Sequence, residues 1–384
     1  MKSYKIGILS AHEGASYWPH LIYLIQTYED LDFVSLHLFS DKEYRSAKSI
    51  VSRLYLRFQV FVIYPLYCLF QMLFQQKYDA FIVVTSPFFL PSICALLSKK
   101  PIISLQNDIY PEALIQANIV KRDSIYEVML RRVSGYGVTK AQAVVYLCKG
   151  HRMIAERCFG VNTSTYVIPV GANGAPFIDY KPEVNCLPVC FLYCGTLGSM
   201  HDSETILNYL RYKEVLANCR LEFFTSGSGK ANFEKNIRQN FSNLLLNGTI
   251  GLSDSLNEAD WVSKMRSASV GMVFQGNGSE NVIFPSKVYS ILVAGQAVLA
   301  IASLSSELGQ MIVEHDCGWV VEPGDIEGLS RVFYESLVPE TLLRKRRNAF
   351  VLGHAVFDVT KLSVDWHKLI LRACADGVTD KDPR

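Results

Sequence analysis

The feature that most constrains this chain is a pattern that runs twice. Short, wholly apolar segments alternate with longer amphipathic ones, stop at a stretch rich in proline and glycine, and then start again. In the first run the apolar segments predict strands at Lys5–Leu9, Phe33–Phe39, Ala80–Val84, Ile102–Leu105, Ala143–Leu147 and Tyr166–Pro169. They are rich in Val, Ile and Phe and do not alternate with polar residues, as strands buried on both faces should not. Helices are expected between them at Pro19–Tyr28, Pro91–Leu97, Ser124–Val133 and Lys149–Phe159. The second run predicts strands at Val189–Tyr193, Leu221–Thr225, Leu244–Thr249, Val270–Val273, Val298–Ile301 and Gly318–Val321. Its helices are expected at Ser203–Tyr212, Lys230–Asn240, Leu256–Ser267, Lys287–Ala294 and Ile326–Ser336.

Such alternation is the pattern of a doubly wound parallel sheet. The expected fold is therefore α/β, with two Rossmann-like domains facing across a cleft. Residues 1–170 form the first domain and 189–362 the second. Residues 171–188, with Gly171, Gly174, Pro176, Pro182 and Pro188, form the linker, and 363–384 a C-terminal helix and tail that packs back on the first domain. The chain is long enough for both cores, with 49% of its 384 residues hydrophobic and 19% charged. A formal net charge of +2 gives no overall attraction to nucleic acid, and no nucleic-acid partner is expected.

Ten cysteines include no CxxC pair, and Cys186, Cys190 and Cys194 run into and along a strand, a poor geometry for zinc. Most are expected to be small core residues. The N-terminal segment reads as a strand and not as an export signal, so a cytoplasmic location is expected. One stretch stands apart. Phe58–Phe74 is almost entirely apolar and aromatic, is interrupted by Pro65, and follows Arg45, Lys48, Arg53 and Arg57. The first reading is a buried helix. The alternative, for segment 45–74, is a helix that lies in the cytoplasmic face of a membrane with its cations on lipid phosphates, and the protein peripheral there.

Three segments carry candidate chemistry. Tyr193-Cys-Gly-Thr-Leu-Gly198 runs from a strand into a glycine turn and a helix, where free N–H groups suit a phosphate. Thr225-Ser-Gly-Ser-Gly-Lys230 repeats that arrangement, and its Ser226, Gly227, Gly229 and Lys230 are candidates for the same extended ligand. The first turn is neither a Walker motif nor a full GxGxxG. In Glu280-Asn-Val-Ile-Phe-Pro-Ser-Lys287, Pro285 marks a helix start, Ser286 is expected to cap it, and Lys287 lies in the first turn, where its charge opposes the helix dipole. A lysine there makes chemical sense beside a diphosphate leaving group.

Pro285-Ser-Lys-Val-Tyr289 followed by Ala294-Gly295 and an apolar strand resembles the nucleotide-binding signature of glycosyltransferase family 4. The resemblance extends to Gly195–Gly198, to Cys317-Gly-Trp-Val-Val-Glu-Pro-Gly-Asp325 and to Val167–Gly171. Thr85-Ser-Pro87 and Asn107-Asp-Ile-Tyr-Pro-Glu112 resemble its subgroup of amino-sugar transferases in bacterial surface polysaccharide synthesis. What the resemblance implies is a GT-B fold and a retaining transfer of a sugar from a nucleotide-diphosphate donor, with uridine the commonest base. The acceptor would be a saccharide or lipid-linked saccharide; no cofactor and no strictly required metal are implied. The donor would contact Gly195, Thr196, Leu197, Gly198, His201, Glu280, Pro285, Ser286, Lys287 and Ser290. On the first domain, Ser10, His12, Glu13 and Gly14 follow the first strand, and Ser86, Asp108 and Glu112 follow later ones. His12, Glu13, Asp108 and Lys287 are the catalytic candidates and Ser10, Gly14, Ser86 and Glu112 the acceptor contacts. Asp30-Leu-Asp32 precedes a strand and is expected to be a turn, not a metal site.

The sequence departs from the family where Val282 and Ser290 stand in place of two glutamates, with Glu280 out of register. The arginine and lysine usual after the first glycine turn have Thr196 and His201 as their nearest counterparts. Phosphate charge then falls to Lys287, to backbone amides around Gly198, and to His201 or Lys230. Two other functions fit the same architecture: a non-catalytic sugar-nucleotide-binding subunit that supports a partner, and a sugar-nucleotide epimerase. The epimerase needs an added pair of acid/base carboxylates that the sequence does not supply.

Overall fold

The structure, a computed structural model, describes residues 3–11, 27–38, 49–160, 164–182, 187–198, 200–213, 218–254, 256–280, 282 and 284–379. It divides into two compact units: Met1–Val170 with Val359–Arg384, and Gly171–Asp358.

Unit 1 is built on six parallel strands: β1 (Tyr4–Leu9), β2 (Leu31–Leu36), β3 (Ala80–Val84), β4 (Ile102–Gln106), β5 (Ala143–Tyr146) and β6 (Ser164–Val167), in the order β2-β1-β3-β4-β5-β6. Every residue of β3, β4 and β5 is buried, which is why their sequences lack a polar face. Ile82, Ile103 and Val145 turn to one side, where they meet Leu362, Trp366 and Ile370 of the C-terminal helix Val359–Thr379. Phe81, Val83 and Val144 turn to the other, against Tyr64, Cys68 and Leu90. The C-terminal helix is pinned further by His367, whose Nε2 lies 2.9 Å from Asp30 Oδ1 and whose ring stacks on Tyr28 at 4.1 Å. Asp30 is thus engaged by this helix, while Asp32, on β2, lies 3.8 Å from Lys5 Nζ. Among the described residues no group of three or more His, Cys, Asp or Glu is placed to hold a metal.

Unit 2 has the strands β7 (Val189–Thr196), β8 (Cys219–Ser226), β9 (Ile250–Ser253), β10 (Val270–Phe274), β11 (Ala297–Ile301) and β12 (Gly318–Val321). They are parallel, in the order β12-β11-β10-β7-β8-β9. Phe191, Tyr193, Phe223, Phe274 and Phe333 form the aromatic centre of its core.

Several expectations are corrected. Leu244–Thr249 is not a strand: Ser242–Leu246 is a short helix that lays Leu244 and Leu245 on the core, and β9 begins only after Gly248, whose φ is +77°. The stretch 171–182 is no free linker. Phe177 is fully buried in unit 2, the Gly174 N–H donates to Asp358 Oδ2 at 3.0 Å, and the Tyr180 hydroxyl donates to the Arg266 carbonyl at 2.8 Å. The return to unit 1 comes at Val359 and not at 363, because Val359 and Leu362 are already buried in its first turns. The helix predicted at Pro19–Tyr28 lies almost wholly outside the described residues.

The aromatic segment is helical from Ile50 to Leu73, but it is not the buried helix expected. A π-helical turn, Gln59–Ile63, precedes Pro65 and accommodates the missing N–H. Tyr64, Cys68 and Met72 pack on unit 1, and the rest of the apolar side chains are largely exposed.

Candidate functional site

Both sheets reverse their strand order at one place. In unit 2 the chain starts at β7, adds β8 and β9 on one side and β10 to β12 on the other, so the switch point lies between β7 and β10. Loops that leave the carboxyl ends of strands at such a point splay apart and leave a crevice where ligands bind. The two segments singled out in the sequence, Gly195–Gly198 after β7 and Glu280–Lys287 after β10, flank that point.

β7 runs further than predicted, through Gly195 to Thr196, so the turn begins at Leu197. Gly195 has φ +139°, a conformation that side chains with a Cβ rarely adopt, and a Cβ there would meet the Lys287 stem at 3.6 Å. Lys287, at the start of the helix Lys287–Val293, reaches across to this strand end. Its Nζ donates to the Tyr193 hydroxyl at 2.6 Å and to the Thr196 carbonyl at 3.1 Å, and lies 4.1 Å from the centre of the Tyr193 ring. The Tyr193 hydroxyl in turn donates to the same Thr196 carbonyl at 2.8 Å. Among the described residues no carboxylate pairs with the ammonium, and burial holds Lys287 down to about 7. A buried cation without a paired carboxylate can take an anion as its partner.

The Leu197 and Gly198 amides of the turn are not free, contrary to expectation. The Leu197 N–H donates to the Ser226 carbonyl at 2.8 Å, and the Gly198 N–H donates to His201 Nδ1 at 3.1 Å. Because Nδ1 accepts that bond, Nε2 carries the hydrogen of the neutral ring. Burial, followed by the nearby Lys287 charge, lowers His201 to about 4, so the ring is neutral at physiological pH and offers an N–H donor. The turn thus carries an imidazole N–H donor on His201, while its Leu197 and Gly198 amides are engaged.

The second glycine turn supports the first. The Gly229 N–H donates to the Leu197 carbonyl at 2.9 Å, and a Cβ on Gly227 would lie 2.7 Å from that oxygen. These glycines let the turns pack on each other. Ser226 Oγ lies 3.4 Å from Thr196 Oγ1 at the exposed end of this pair. Lys230 is spent elsewhere: Asp254 and Glu234 pair with its ammonium, and the Asp254 hydrogen bond raises its pKa. Glu280 accepts the Gly278 N–H at 2.9 Å and closes its own loop. Pro285 is buried, Ser286 is exposed and makes no side-chain cap, and Ser290 is half-buried in the helix that begins at Lys287. Val282 is buried and brings no charge to the site. Tyr193 was missed as a functional residue, although its place two residues before Gly195 put it on the same face of β7.

In unit 1 the switch point lies between β1 and β3. Ser10 follows β1 and is buried; Ser86 follows β3, and its carbonyl accepts the Ala11 N–H at 3.3 Å. The neighbouring loop after β4 joins them, since the Asn107 N–H donates to Thr85 Oγ1 at 3.1 Å. Asp108 lies on this loop. Burial raises its carboxyl above the ordinary value, partly offset by a hydrogen bond from the Tyr110 hydroxyl. Glu112 is not grouped with them. Its carboxylate takes Arg131 at 2.8 Å and Arg122 at 3.0 Å, and these bonds lower its pKa against the burial that opposes them. His12, Glu13 and Gly14 lie outside the described residues.

No family model matches the chain. It is 25% identical over 244 residues to a Pseudomonas aeruginosa protein named "Probable glycosyltransferase WbjE", a match over 60% of this chain and 58% of that one. Its fold matches a sucrose-phosphate synthase from Thermosynechococcus elongatus, with a TM-score of 0.72 at 12% identity over 97% of this chain and 100% of the other. Anabaena HepE in complex with UDP-glucose matches with a TM-score of 0.69 at 14% identity, over 96% and 100% of the two chains. A glycosyltransferase from Rickettsia africae matches with 0.66 at 12%, over 97% and 99%. The two parallel six-stranded sheets with their helices are those of GT-B glycosyltransferase structures.

Proposed function

We propose that this chain is a glycosyltransferase that takes a sugar from a nucleotide-diphosphate donor bound at the switch point of unit 2. The observation that carries the reading is Lys287, an ammonium held beside Gly195 by two oxygens and, among the described residues, by no carboxylate. A diphosphate gains negative charge as the sugar departs, so a fixed cation there stabilises the transition state more than the ground state. His201 Nε2–H supplies a second donor. The relative named as a glycosyltransferase and the structural match to a protein solved with UDP-glucose support this reading and favour a uridine donor.

Transfer proceeds with retention and without a protein nucleophile, the leaving diphosphate taking the acceptor proton, as the family resemblance implies. No resident metal is needed, because Lys287 and His201 meet the leaving group. Unit 1 binds the acceptor, a saccharide or lipid-linked saccharide of surface polysaccharide synthesis, at Ser10, Ser86 and Asp108. Asp108 orients the attacking hydroxyl. The protein works in the cytoplasm, with segment 45–74 as its contact with the membrane that holds a lipid-linked acceptor.

A second reading has one observation in its favour. Val282, which is buried, and Ser290, which is half-buried, supply no carboxylate for the nucleotide ribose, as in a non-catalytic nucleotide-binding subunit. Thermal shift with a panel of nucleoside diphosphates and nucleotide sugars, with and without magnesium, tests donor binding. Release of nucleoside diphosphate from the stabilising nucleotide sugar, in the presence of acceptor, tests transfer. Stabilisation without turnover over a broad acceptor panel would favour the second reading, and no stabilisation by any nucleotide would defeat both.

A further inference from the structure

The helix from Ile50 to Leu73 is apolar on two sides. Tyr64, Cys68 and Met72, spaced by four, face the core of unit 1, and the Tyr64 hydroxyl donates to the Leu36 carbonyl at 2.7 Å. On its outer side Leu54, Phe58, Val62, Leu66, Phe70 and Leu73 form a second stripe, each more than two-fifths exposed. A helix at a water-facing surface carries polar residues there. Its length and composition suit a membrane, but the inner stripe is committed to protein, so it does not fit a span surrounded by lipid.

The surface continues beyond this helix and is basic. The Lys99 N–H donates to Gln75 Oε1 at 2.6 Å, which sets exposed Leu96 and Leu97 and the Lys99–Lys100 pair beside the end of the long helix. Lys77 lies over the Phe74 ring at 5.5 Å. Residues 54–107 contain four cations (Arg57, Lys77, Lys99 and Lys100) and one carboxylate, Asp79, which accepts the Lys5 N–H at 2.8 Å. The chain as a whole is balanced, with 38 basic and 36 acidic residues. Charge of one sign around an apolar stripe is complementary to anionic lipid; a second copy paired by two-fold symmetry would set these cations against themselves.

One row of rings leads inward from this face. Phe61 lies 6.2 Å from Phe89, Phe89 5.2 Å from Phe88, and Phe88 5.3 Å from Tyr110, whose hydroxyl bonds Asp108. We infer that this face docks unit 1 on an anionic bilayer, the helix lying in the plane of the interface, and that the row from Phe61 to Tyr110 guides the apolar chain of a lipid-linked acceptor towards Asp108. The inference deepens, and rests on, the acceptor half of the proposed function.

The test uses the full chain and sedimentation with vesicles of phosphatidylcholine alone or mixed with phosphatidylglycerol. Binding should be confined largely to the mixed vesicles and should weaken as salt is added. Lys99→Gln with Lys100→Gln should weaken it about fivefold per charge, and Leu66→Ser with Phe70→Ser should abolish it. Thermal stabilisation by UDP serves as the folding control for each variant. A prenyl phosphate carrying a diazirine, placed in the mixed vesicles, should label Phe88 or Phe89 on illumination. Equal binding to both vesicle types, no binding to either, undiminished binding by the serine variant, or labelling confined to 50–74 would each overturn the inference. So would self-association without vesicles that the serine variant removes. Loss of vesicle binding with UDP stabilisation intact defeats this inference alone, whereas loss of UDP stabilisation with vesicle binding intact defeats the donor reading.

Discussion

If the ligand of unit 2 is a diphosphate, binding it must change the protonation of Lys287. Burial without a counter-charge holds this lysine down to about 7. A diphosphate beside it supplies the missing charge and returns its pKa towards ~10.4, the ordinary lysine value. At pH 8 the free protein carries the proton on only ~10% of molecules and the complex on nearly all, so binding takes up ~0.9 proton; at pH 6 the figure is ~0.1. The sign follows: the Lys287 contribution to UDP affinity is constant below about pH 6, and from about pH 7 to 9 affinity falls towards tenfold per unit. Other groups do not mask the effect. The terminal phosphate loses its second proton near ~6, below this window, and His201, at about 4, is already neutral. Cys194 and Tyr193, beside the lysine, are pushed up by burial and keep their protons over most of it. Calorimetry in two buffers of different ionisation enthalpy measures the proton number directly. The Lys287→Met variant should lose both the uptake and the slope, and transfer should fall by ~10²–10³, as when one charge-stabilising donor is removed. Proton uptake near zero at pH 8, with an affinity constant from pH 7 to 9, would refute the contact between Lys287 and the diphosphate.

Three other perturbations probe the surrounding frame. Gly195→Ala forces a Cβ into φ +139° and should cost about 1–3 kcal/mol in chemical unfolding; an unchanged midpoint would mean the strand end relaxes freely. His201→Gln keeps an acceptor for the Gly198 N–H and a donor for phosphate, so UDP affinity should hold within about threefold, whereas His201→Ala should lose about tenfold. Equal losses in the two variants would show that the imidazole is not a hydrogen-bond donor to the ligand. Trp366→Ala empties a buried position between the C-terminal helix and the sheet of unit 1 and should cost about 3–5 kcal/mol, seen as a lowered thermal midpoint. A midpoint that does not move would remove that helix from the core.

What was legible in the sequence follows from where the information lay. β3 and β11 announce themselves because strands buried on both faces need no alternation, and their neighbours along the chain are helices. Leu244–Leu246 misled for the same reason: three leucines in a row fit a strand, but only two reach the core, and nothing local distinguishes that case. Lys287 was legible because a lysine in the first turn of a helix is locally unfavourable, so its presence points to something outside the helix. The partners of that region were not legible. The bond from Gly198 to His201 depends on how a three-residue turn closes, and Lys230 meets Asp254 from 24 residues away. The exposure of 50–73 was hidden too, since periodicity finds one apolar stripe and cannot say whether a second is covered.

The return of the chain at Val359 has a consequence for its synthesis. Unit 2 is a single uninterrupted stretch, Gly171–Asp358, and holds all of its own strands. Unit 1 begins first but closes one face of its sheet with Leu362, Trp366 and Ile370. On the ribosome, the half translated first therefore waits with that face bare while the second half emerges and can complete its core. Its own closure falls due only when the last helix leaves the exit tunnel, so the order of maturation is the reverse of the order of translation.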